Sequence, residues 1–298
     1  MKPWYKLKLE TQKRVEENEV NASFTFQTGM ELWDRHGGLK SGELHLLVGN
    51  RSSGCSSMAL QLALHNAEMG IPVLFISSHL SPELFMYRIM TQRAKGEMPS
   101  FHELTQDAFY WDSMCCKYTE DLNEKPFYYH RYDSGKGRQA LEAYAKFKEK
   151  FAKGLVIIDR LDAAEWETKT LDIFLNALKE DIHQTERAVL LVSNSVVEKV
   201  DLAYTHFPNL LCLPLWNQLQ SVVSRVFLLR KEMPNWQNPD FFRPDFLTLG
   251  EIAITHDGRV NDVAARVYFH HQHHTYYNES HSIVRNSYGD PSDDEHPF

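Results

Sequence analysis

The chain has 298 residues, with 32 lysines and arginines against 40 aspartates and glutamates, and a net charge of −8. This charge argues against tight nucleic-acid binding by an isolated monomer, because proteins that bind nucleic acid usually present a basic face. No run approaches the ~20 apolar residues that span a bilayer, and the N-terminus lacks the apolar core of a signal peptide. We therefore expect a cytoplasmic protein with no membrane partner and with four reduced cysteines.

Short apolar runs alternate with helical patterns along the chain. Strands are predicted, in order, at residues 44–48, 72–77, 126–130, 155–158 and 188–192. Helices are predicted between them, in a segment ending at Gly70 and at residues 82–95, 138–152 and 171–182. Residues 96–125 give no clear pattern. This alternation predicts an α/β fold with a mostly parallel sheet flanked by helices, and a ligand site beyond the carboxyl ends of the strands.

Three later apolar runs follow without a long helix between them, and they predict added, partly antiparallel strands at residues 226–229, 251–254 and 266–269. The apolar segment before them contains Trp216, with Arg225 as its one charged residue. Such a segment favours packing or a protein contact over phosphate binding, although an aromatic ring could also stack on bases. Four histidines at positions 270, 271, 273 and 274 lack the carboxylate or cysteine of a metal site, so we expect a surface edge.

A glycine-rich loop follows the first long strand and resembles the phosphate-loop pattern GxxxxGK[ST]. Its residues are Gly49, Asn50, Arg51, Ser52, Ser53, Gly54, Cys55, Ser56 and Ser57. Both glycines and the hydroxyl of Ser56 match, so backbone N–H groups could hold phosphate at a helix N-terminus. Cys55 stands where the pattern has lysine, and losing that charged contact costs on the order of 1.5–3 kcal/mol. A plain glycine–serine turn is the alternative interpretation.

Five segments in the same order resemble the C-terminal ATPase domain of DnaB-family replicative helicases. QTGMELWDRHGGLKSGELHLLVGN resembles the approach to the phosphate loop, and PVLFISSHLSPELFMYRI resembles the second strand and its helix. The segment ending GLVIIDRL resembles the Walker B strand, and ALKEDIHQTERAVLLVSNS resembles the strand that carries the sensor glutamine. EIAITHDGRVNDVAARVYF has the spacing of the last strand pair. The resemblance spans residues 27–277 and implies a RecA-like fold.

The resemblance also assigns functional positions. It places the phosphate-loop lysine at Cys55, the catalytic glutamate at His79, the Walker B aspartate at Asp159, the sensor glutamine at Asn194, and the lysine and arginine finger at His256 and Gly258. Asp159 is retained and, with Ser56, would hold Mg²⁺. The other positions are altered, so we expect no intact catalytic set and, at most, weak binding of ATP and Mg²⁺. Arg259, one position from the finger, could substitute in part, and His79 could act as a base.

The resemblance divides the chain into an N-terminal extension or linker helix (residues 1–24), a RecA-like DnaB-type domain (25–277) and an acidic tail (278–298). The tail is predicted to be disordered. Its last residues, Asp293, Asp294, Glu295, His296, Pro297 and Phe298, resemble the acidic tip of bacterial single-stranded-DNA-binding proteins. That resemblance implies docking to enzymes that read the tip, while a solubilising tail remains the alternative.

These features predict a catalytically inactive DnaB-like protein that acts as a binding or assembly partner in DNA replication or repair. The partners would be a replicative helicase or enzymes that read single-stranded-DNA-binding protein tails; DNA binding would be weak, and a homo-oligomer is compatible with the sequence. One alternative is an active ATP-dependent helicase or translocase with atypical catalytic residues. Another is a RecA-like regulator that binds a nucleotide as a structural ligand.

Overall fold

The computed structural model describes most of the predicted domain. It covers residues 24–35, 37–50, 53–94, 98–133, 137–160, 168–182, 185–195, 210, 213, 215–231, 247–255, 263–270 and 274–278. The predicted extension up to residue 23 and the tail from residue 279 lie outside these ranges. None of the helices within them is long and apolar enough to cross a membrane.

The described strands form one large sheet and one small one. Their bounds are β1 Thr25–Phe26, β2 Leu39–Lys40, β3 Leu44–Asn50, β4 Val73–Ser77, β5 Phe127–Arg131, β6 Lys153–Asp159, β7 Glu186–Ser195, β8 Arg225–Lys231, β9 Leu247–Thr255, β10 Val263–His270 and β11 Thr275–Asn278. In the large sheet the order is β11-β10-β9-β8-β3-β7-β6-β4-β5, and β1 pairs with β2 separately.

The large sheet confirms the predicted α/β architecture. Strands β8, β3, β7, β6, β4 and β5 are parallel neighbours. The late strands β9, β10 and β11 extend the β8 edge in antiparallel pairing, as the absence of long helices between them predicted. β11 includes Asn278, the first residue of the predicted tail.

Helices cover both faces of this sheet. Their bounds are α1 Glu31–Arg35, α2 Cys55–Glu68, α3 Pro82–Ala94, α4 Phe101–Thr105, α5 Ala108–Thr119, α6 Gly137–Lys150, α7 Thr168–Ile182 and α8 Trp216–Leu219, with a 3-10 helix at Glu120–Glu124. Helices α1, α2 and α3 pack on one face, and α6, α7 and α8 pack on the other. Fully buried strands between two helical layers explain the nearly continuous apolar runs in the sequence.

The segment that gave no clear pattern, residues 96–125, contains α4, α5 and the 3-10 helix. Ser100 and Glu103 form a capping box at the start of α4, and Asp107 caps α5 through the backbone N–H groups of Phe109 and Tyr110. These helices pack on α3 through a small cluster of their own, formed by Met90, Leu104 and Met114.

Strand alternation sets the position of the candidate site. Leu47, Phe75 and Ile157 pack in the core on the α2 side of the sheet. Because side chains alternate along a strand, residues two positions later return to the same side. Those residues are Gly49, Ser77 and Asp159, at the carboxyl ends of β3, β4 and β6. Polar groups thus gather at one end of the sheet, under the start of α2.

One polar side chain lies deep in the core. His45 of β3 is fully buried, and its Nε2 donates to the carbonyl of Lys40 at 3.2 Å, while its Nδ1 has no hydrogen-bond partner. Burial lowers the pKa of His45 to about 3, with smaller contributions from the charges of Arg225 and Lys40. The imidazole is therefore neutral in the folded protein. Glu43 Oε2 lies 3.9 Å from His45 Nε2, but this carboxylate does not keep the imidazole protonated.

We predict that His45 makes the protein less stable in mild acid. Unfolding restores an ordinary histidine pKa of about 6.5, so the unfolded chain binds more protons than the folded one between pH 6.5 and pH 3. Stability should therefore fall as the pH drops below about 6.5, by roughly 2 kcal/mol at pH 5 from this residue. Urea unfolding at pH 7.5 and pH 5 measures the loss, and His45→Gln should reduce it. Parallel pH profiles for both proteins would contradict the assignment.

Candidate functional site

The glycine-rich loop, residues 49–57, joins β3 to α2 and is called the phosphate loop below. A Cβ on Gly49 would lie 2.0 Å from Ser53 Oγ and 2.4 Å from Cys55 Sγ, so only glycine fits at this position. Gly54 has φ +92°, in the left-handed region, and immediately precedes α2. The loop therefore turns back over the end of β3, and each glycine has a distinct steric reason. Arg51 and Ser52 lie outside the described residues.

Cys55 occupies the lysine position without replacing its chemistry. Its side chain is 2% exposed, and its Sγ lies 3.3 Å from Ser53 Oγ. Both side chains crowd the Gly49 Cα, as the short distances to a hypothetical Cβ show. Because the thiol is neutral and buried against the loop, the first residue of α2 offers no positive charge to a phosphate.

Asp159 lies at the end of β6 and is fully buried. Ser56 Oγ donates to its Oδ1 at 2.8 Å, and Ser77 Oγ donates to its Oδ2 at 3.2 Å. Burial raises the pKa of Asp159 to about 6, even though these hydrogen bonds and the charges of Arg88 and Arg160 lower it. The structure thus brings Ser56 and Asp159 together, as the sequence resemblance implied.

The side chains at this site suit the magnesium ion of a magnesium–nucleotide ligand, but they do not reproduce the lysine that would contact its phosphates. The Ser56 hydroxyl and the Asp159 carboxylate are oxygen ligands of the kind that Mg²⁺ prefers, and they would hold the ion. The ion would neutralise phosphate charge beside the loop. Cys55 does not fit the lysine role, because a thiol cannot donate a charged hydrogen bond.

His79 has a partner that the sequence did not reveal. Its Nδ1 lies 3.2 Å from Ser77 Oγ and 3.4 Å from Asp159 Oδ2. Since Ser77 gives its own hydrogen to Asp159, we assign the imidazole hydrogen to Nδ1. Burial first, and then the charges of Arg160 and Arg88, lower the pKa of His79 to about 4. At neutral pH the ring is therefore uncharged and carries a lone pair on Nε2.

The remaining predicted positions divide into two groups. Asn194 lies in β7, directly opposite Gly49 in the strand register. His256, Gly258 and Arg259 lie outside the described residues.

The four histidines at positions 270, 271, 273 and 274 are only partly within the described residues. His270 ends β10 and His274 is a turn residue directly before β11, while His271 and His273 lie outside the described residues. No group of three or more histidine, cysteine or acidic side chains suited to a metal ion occurs within the described ranges.

The apolar segment before β8 packs inside the molecule. Its residues Leu213, Trp216 and Leu219 are buried in the core on the α7 side. Trp216 is 9% exposed, so its ring packs against the protein and is not presented to bases. Arg225 Nε lies 3.5 Å from Glu43 Oε2, and this ion pair compensates its charge. The prediction of a packing role is confirmed for these residues.

The β10–β11 hairpin holds the phosphate loop from outside, a contact that sequence analysis missed. The hydroxyl of Tyr276, a fully buried residue of β11, donates to the Ser53 carbonyl. Gln61 of α2 forms two hydrogen bonds of 2.8 Å with the Tyr276 backbone. Gln92 of α3 donates to the carbonyls of Ser57 and His274, both at 2.8 Å. These contacts hold the C-terminal half of the loop, Ser53 to Ser57, against the hairpin and α3.

We predict that Tyr276→Phe loosens the phosphate loop and exposes Cys55. The substitution keeps the ring but leaves the buried Ser53 carbonyl without its donor, which costs about 1–1.5 kcal/mol and corresponds to roughly tenfold more loop opening. The rate at which a maleimide labels Cys55 should rise by that factor, while the melting temperature should fall by about 2–5 °C, as a loss of this size implies for a domain of this length.

The labelling assay needs Cys55 as the sole thiol, so it uses a background of Cys115→Ser, Cys116→Ser and Cys212→Ser. Tyr87→Phe is the matched control, because Tyr87 also donates to a backbone carbonyl, that of Pro99 at 3.0 Å, in a different part of the fold. Equal labelling rates in Tyr276→Phe and the unmodified background would show that Tyr276 does not hold the loop.

Comparison with known proteins identifies the fold. No family model matches the sequence, and no curated protein matches it. Among solved structures, the chain is similar to one described as an ATPase domain, with 15% identity and a TM-score of 0.67 over 93% of this chain and 99% of that one. It is also similar to a DnaB-like replicative helicase described with its interactions with primase, with 15% identity and a TM-score of 0.68 over 90% of this chain and 66% of that one. The described domain therefore has the RecA-like fold of DnaB-type helicase ATPase domains.

Proposed function

We propose that this protein is a catalytically silent DnaB-like domain that serves as a binding or assembly partner in DNA replication or repair. The observation that carries the proposal is Cys55. It replaces a lysine in a loop that otherwise keeps both glycines, the Ser56 hydroxyl and its contact with Asp159. A loop with both glycines and the Ser56 hydroxyl, but with cysteine in place of lysine, is suited to weak binding of ATP and Mg²⁺ and not to turnover.

The other altered positions support the same conclusion. The resemblance places a glutamate, which would activate water, at position 79, where a neutral histidine stands. It places an arginine finger at Gly258, and such a finger contributes roughly 10³–10⁵ in rate in related nucleotidases. Loss of phosphate charge, water activation and transition-state stabilisation together is harder to rescue than the loss of any one.

An active ATP-dependent helicase or translocase is the second candidate, and His79 is the observation that favours it. Ser77 and Asp159 orient the ring and leave a lone pair on Nε2. A neutral imidazole can accept a proton at this nitrogen, although burial and the two arginine charges lower its pKa to about 4 and make it a weak base. In that case Arg259 would have to replace the arginine finger.

The segment before β8 and the net charge indicate which kinds of partner the protein binds. The buried Trp216 and the paired Arg225 remove two of the candidate contacts to DNA. The net charge of −8 points the same way, so we propose that DNA binding is weak. A replicative helicase, another copy of this chain, or an enzyme that reads single-stranded-DNA-binding protein tails is the proposed kind of partner.

We predict no DNA-stimulated ATP turnover above background. Turnover is measured with and without single-stranded DNA, with Asp159→Ala and His79→Ala as comparisons. A rate of ~1 s⁻¹ or more, as working enzymes show, that disappears in Asp159→Ala would contradict the proposal. Loss of that rate in His79→Ala as well would favour the second candidate.

We also predict that the C-terminal tip binds an enzyme that reads single-stranded-DNA-binding protein tails. Phe298 supplies an aromatic anchor, and the acidic residues before it favour a basic rim. Fluorescence anisotropy compares the intact chain with Phe298→Ala, which should bind at least ~10-fold more weakly. The matched control is Phe109→Ala, which removes an 85% exposed phenylalanine of α5 and leaves the tip intact. Equal affinity of the intact chain and Phe298→Ala would end this proposal.

A further inference from the structure

Two arginines lie beside the candidate site. Arg88 belongs to α3, and Arg160 directly follows Asp159 at the end of β6. Both are partly buried, and within the described residues neither makes an ion pair or a side-chain hydrogen bond. Arg160 Nε is buried and unsatisfied. Partly buried guanidinium groups are normally paired, so this arrangement leaves positive charge available to an anion.

The backbone at Arg160 is strained. Its φ is +62°, a left-handed conformation that residues with a side chain rarely adopt. Such strain persists where the surrounding structure fixes the residue, and it collects at functional sites. Here it accompanies a side chain whose buried nitrogen has no partner.

Both guanidinium groups interact electrostatically with Asp159, and both also act on His79. Asp159 is in turn bonded to Ser56, in the first turn of α2. The two arginines are therefore close enough to act electrostatically on the carboxylate that contacts the phosphate loop. With His79 neutral, Asp159 is the one acidic group in this set against two cations, so the set keeps a positive charge.

We propose that Arg88 and Arg160 bind the phosphate groups of a nucleotide held by the phosphate loop and supply the positive charge that Cys55 does not. The planar guanidinium group matches phosphate oxygens with paired hydrogen bonds, which makes arginine an effective substitute for lysine charge. This inference rests on the proposed function, in which the loop binds nucleotide weakly without turnover. It assigns the positive charge beside the phosphates to Arg88 of α3 and to Arg160, which directly follows β6, while the loop contributes its backbone N–H groups.

Binding of sodium pyrophosphate and of ATP with Mg²⁺ to the full chain tests the assignment, by calorimetry or by nuclear magnetic resonance titration. Arg88→Gln and Arg160→Gln should each weaken binding of both ligands at least ~10-fold. Arg160→Lys should recover part of the loss, because it restores the charge without the paired geometry. Arg138→Gln is the matched control, since Arg138 is 84% exposed on α6 and pairs with Glu142, and it should bind like the unmodified chain.

A second variant separates binding from folding. Glycine adopts positive φ freely, so Arg160→Gly relieves the strained backbone while removing the guanidinium group. It should melt at the same or a higher temperature and still lose pyrophosphate binding.

Two results would overturn the assignment. One is equal pyrophosphate affinity in the unmodified chain and in the Arg88→Gln, Arg160→Gln double variant. The other is no pyrophosphate or ATP binding by the unmodified chain at millimolar ligand. ATP turnover would instead overturn the non-catalytic function and leave the arginine assignment standing, because pyrophosphate binding is measured without turnover.

Discussion

The hydrogen bond from Ser56 to Asp159 ties the first turn of α2 to the end of β6, and the candidate site depends on it. It requires the phosphate loop to turn back sharply after β3, which explains why Gly49 has no room for a Cβ. It also requires β6 to end level with β4, so that Ser77 reaches the same carboxylate. A parallel sheet with helices on both faces meets both requirements, because it aligns the carboxyl ends of its strands.

Sequence patterns predicted the parts of the fold whose side chains are buried on a regular period. β3, β4, β6 and β7 are enclosed between two helical layers, so their apolar runs were unambiguous. Helices α4 and α5 each bury one side chain, Leu104 and Met114 respectively. One buried residue per helix is too few to produce a periodic apolar pattern in the sequence. The glycine loop and Asp159 were found because they follow strands. Tyr276 was missed because antiparallel pairing, which no local pattern records, brings it to Ser53 across 223 positions.

The site concentrates features that oppose stability. Asp159 is a fully buried carboxyl group whose raised pKa shows that burial disfavours its charged form. Arg160, next in sequence, has a left-handed backbone and a buried nitrogen without a partner. Replacing buried charged groups of this kind by apolar residues of similar size often leaves the stability of a protein unchanged or raises it. Costs of this kind are typical of binding sites, and they sit beside a loop that Tyr276 and Gln61 hold in place. Together they fit the proposed nucleotide site, in which Cys55 stands where the phosphate-loop pattern has lysine.

The most direct test of this account restores that cation. The account predicts that Cys55→Lys binds ATP with Mg²⁺ at least ~10-fold tighter than the unmodified chain, a gain of about 1.4 kcal/mol. Cys55→Ser, which is similar in size to cysteine and uncharged, should leave the affinity unchanged. Calorimetry on the three proteins gives the comparison directly. Equal affinity in Cys55→Lys and the unmodified chain would contradict the account, because a phosphate-binding loop that lacks its lysine should bind more tightly when a lysine is placed at that position.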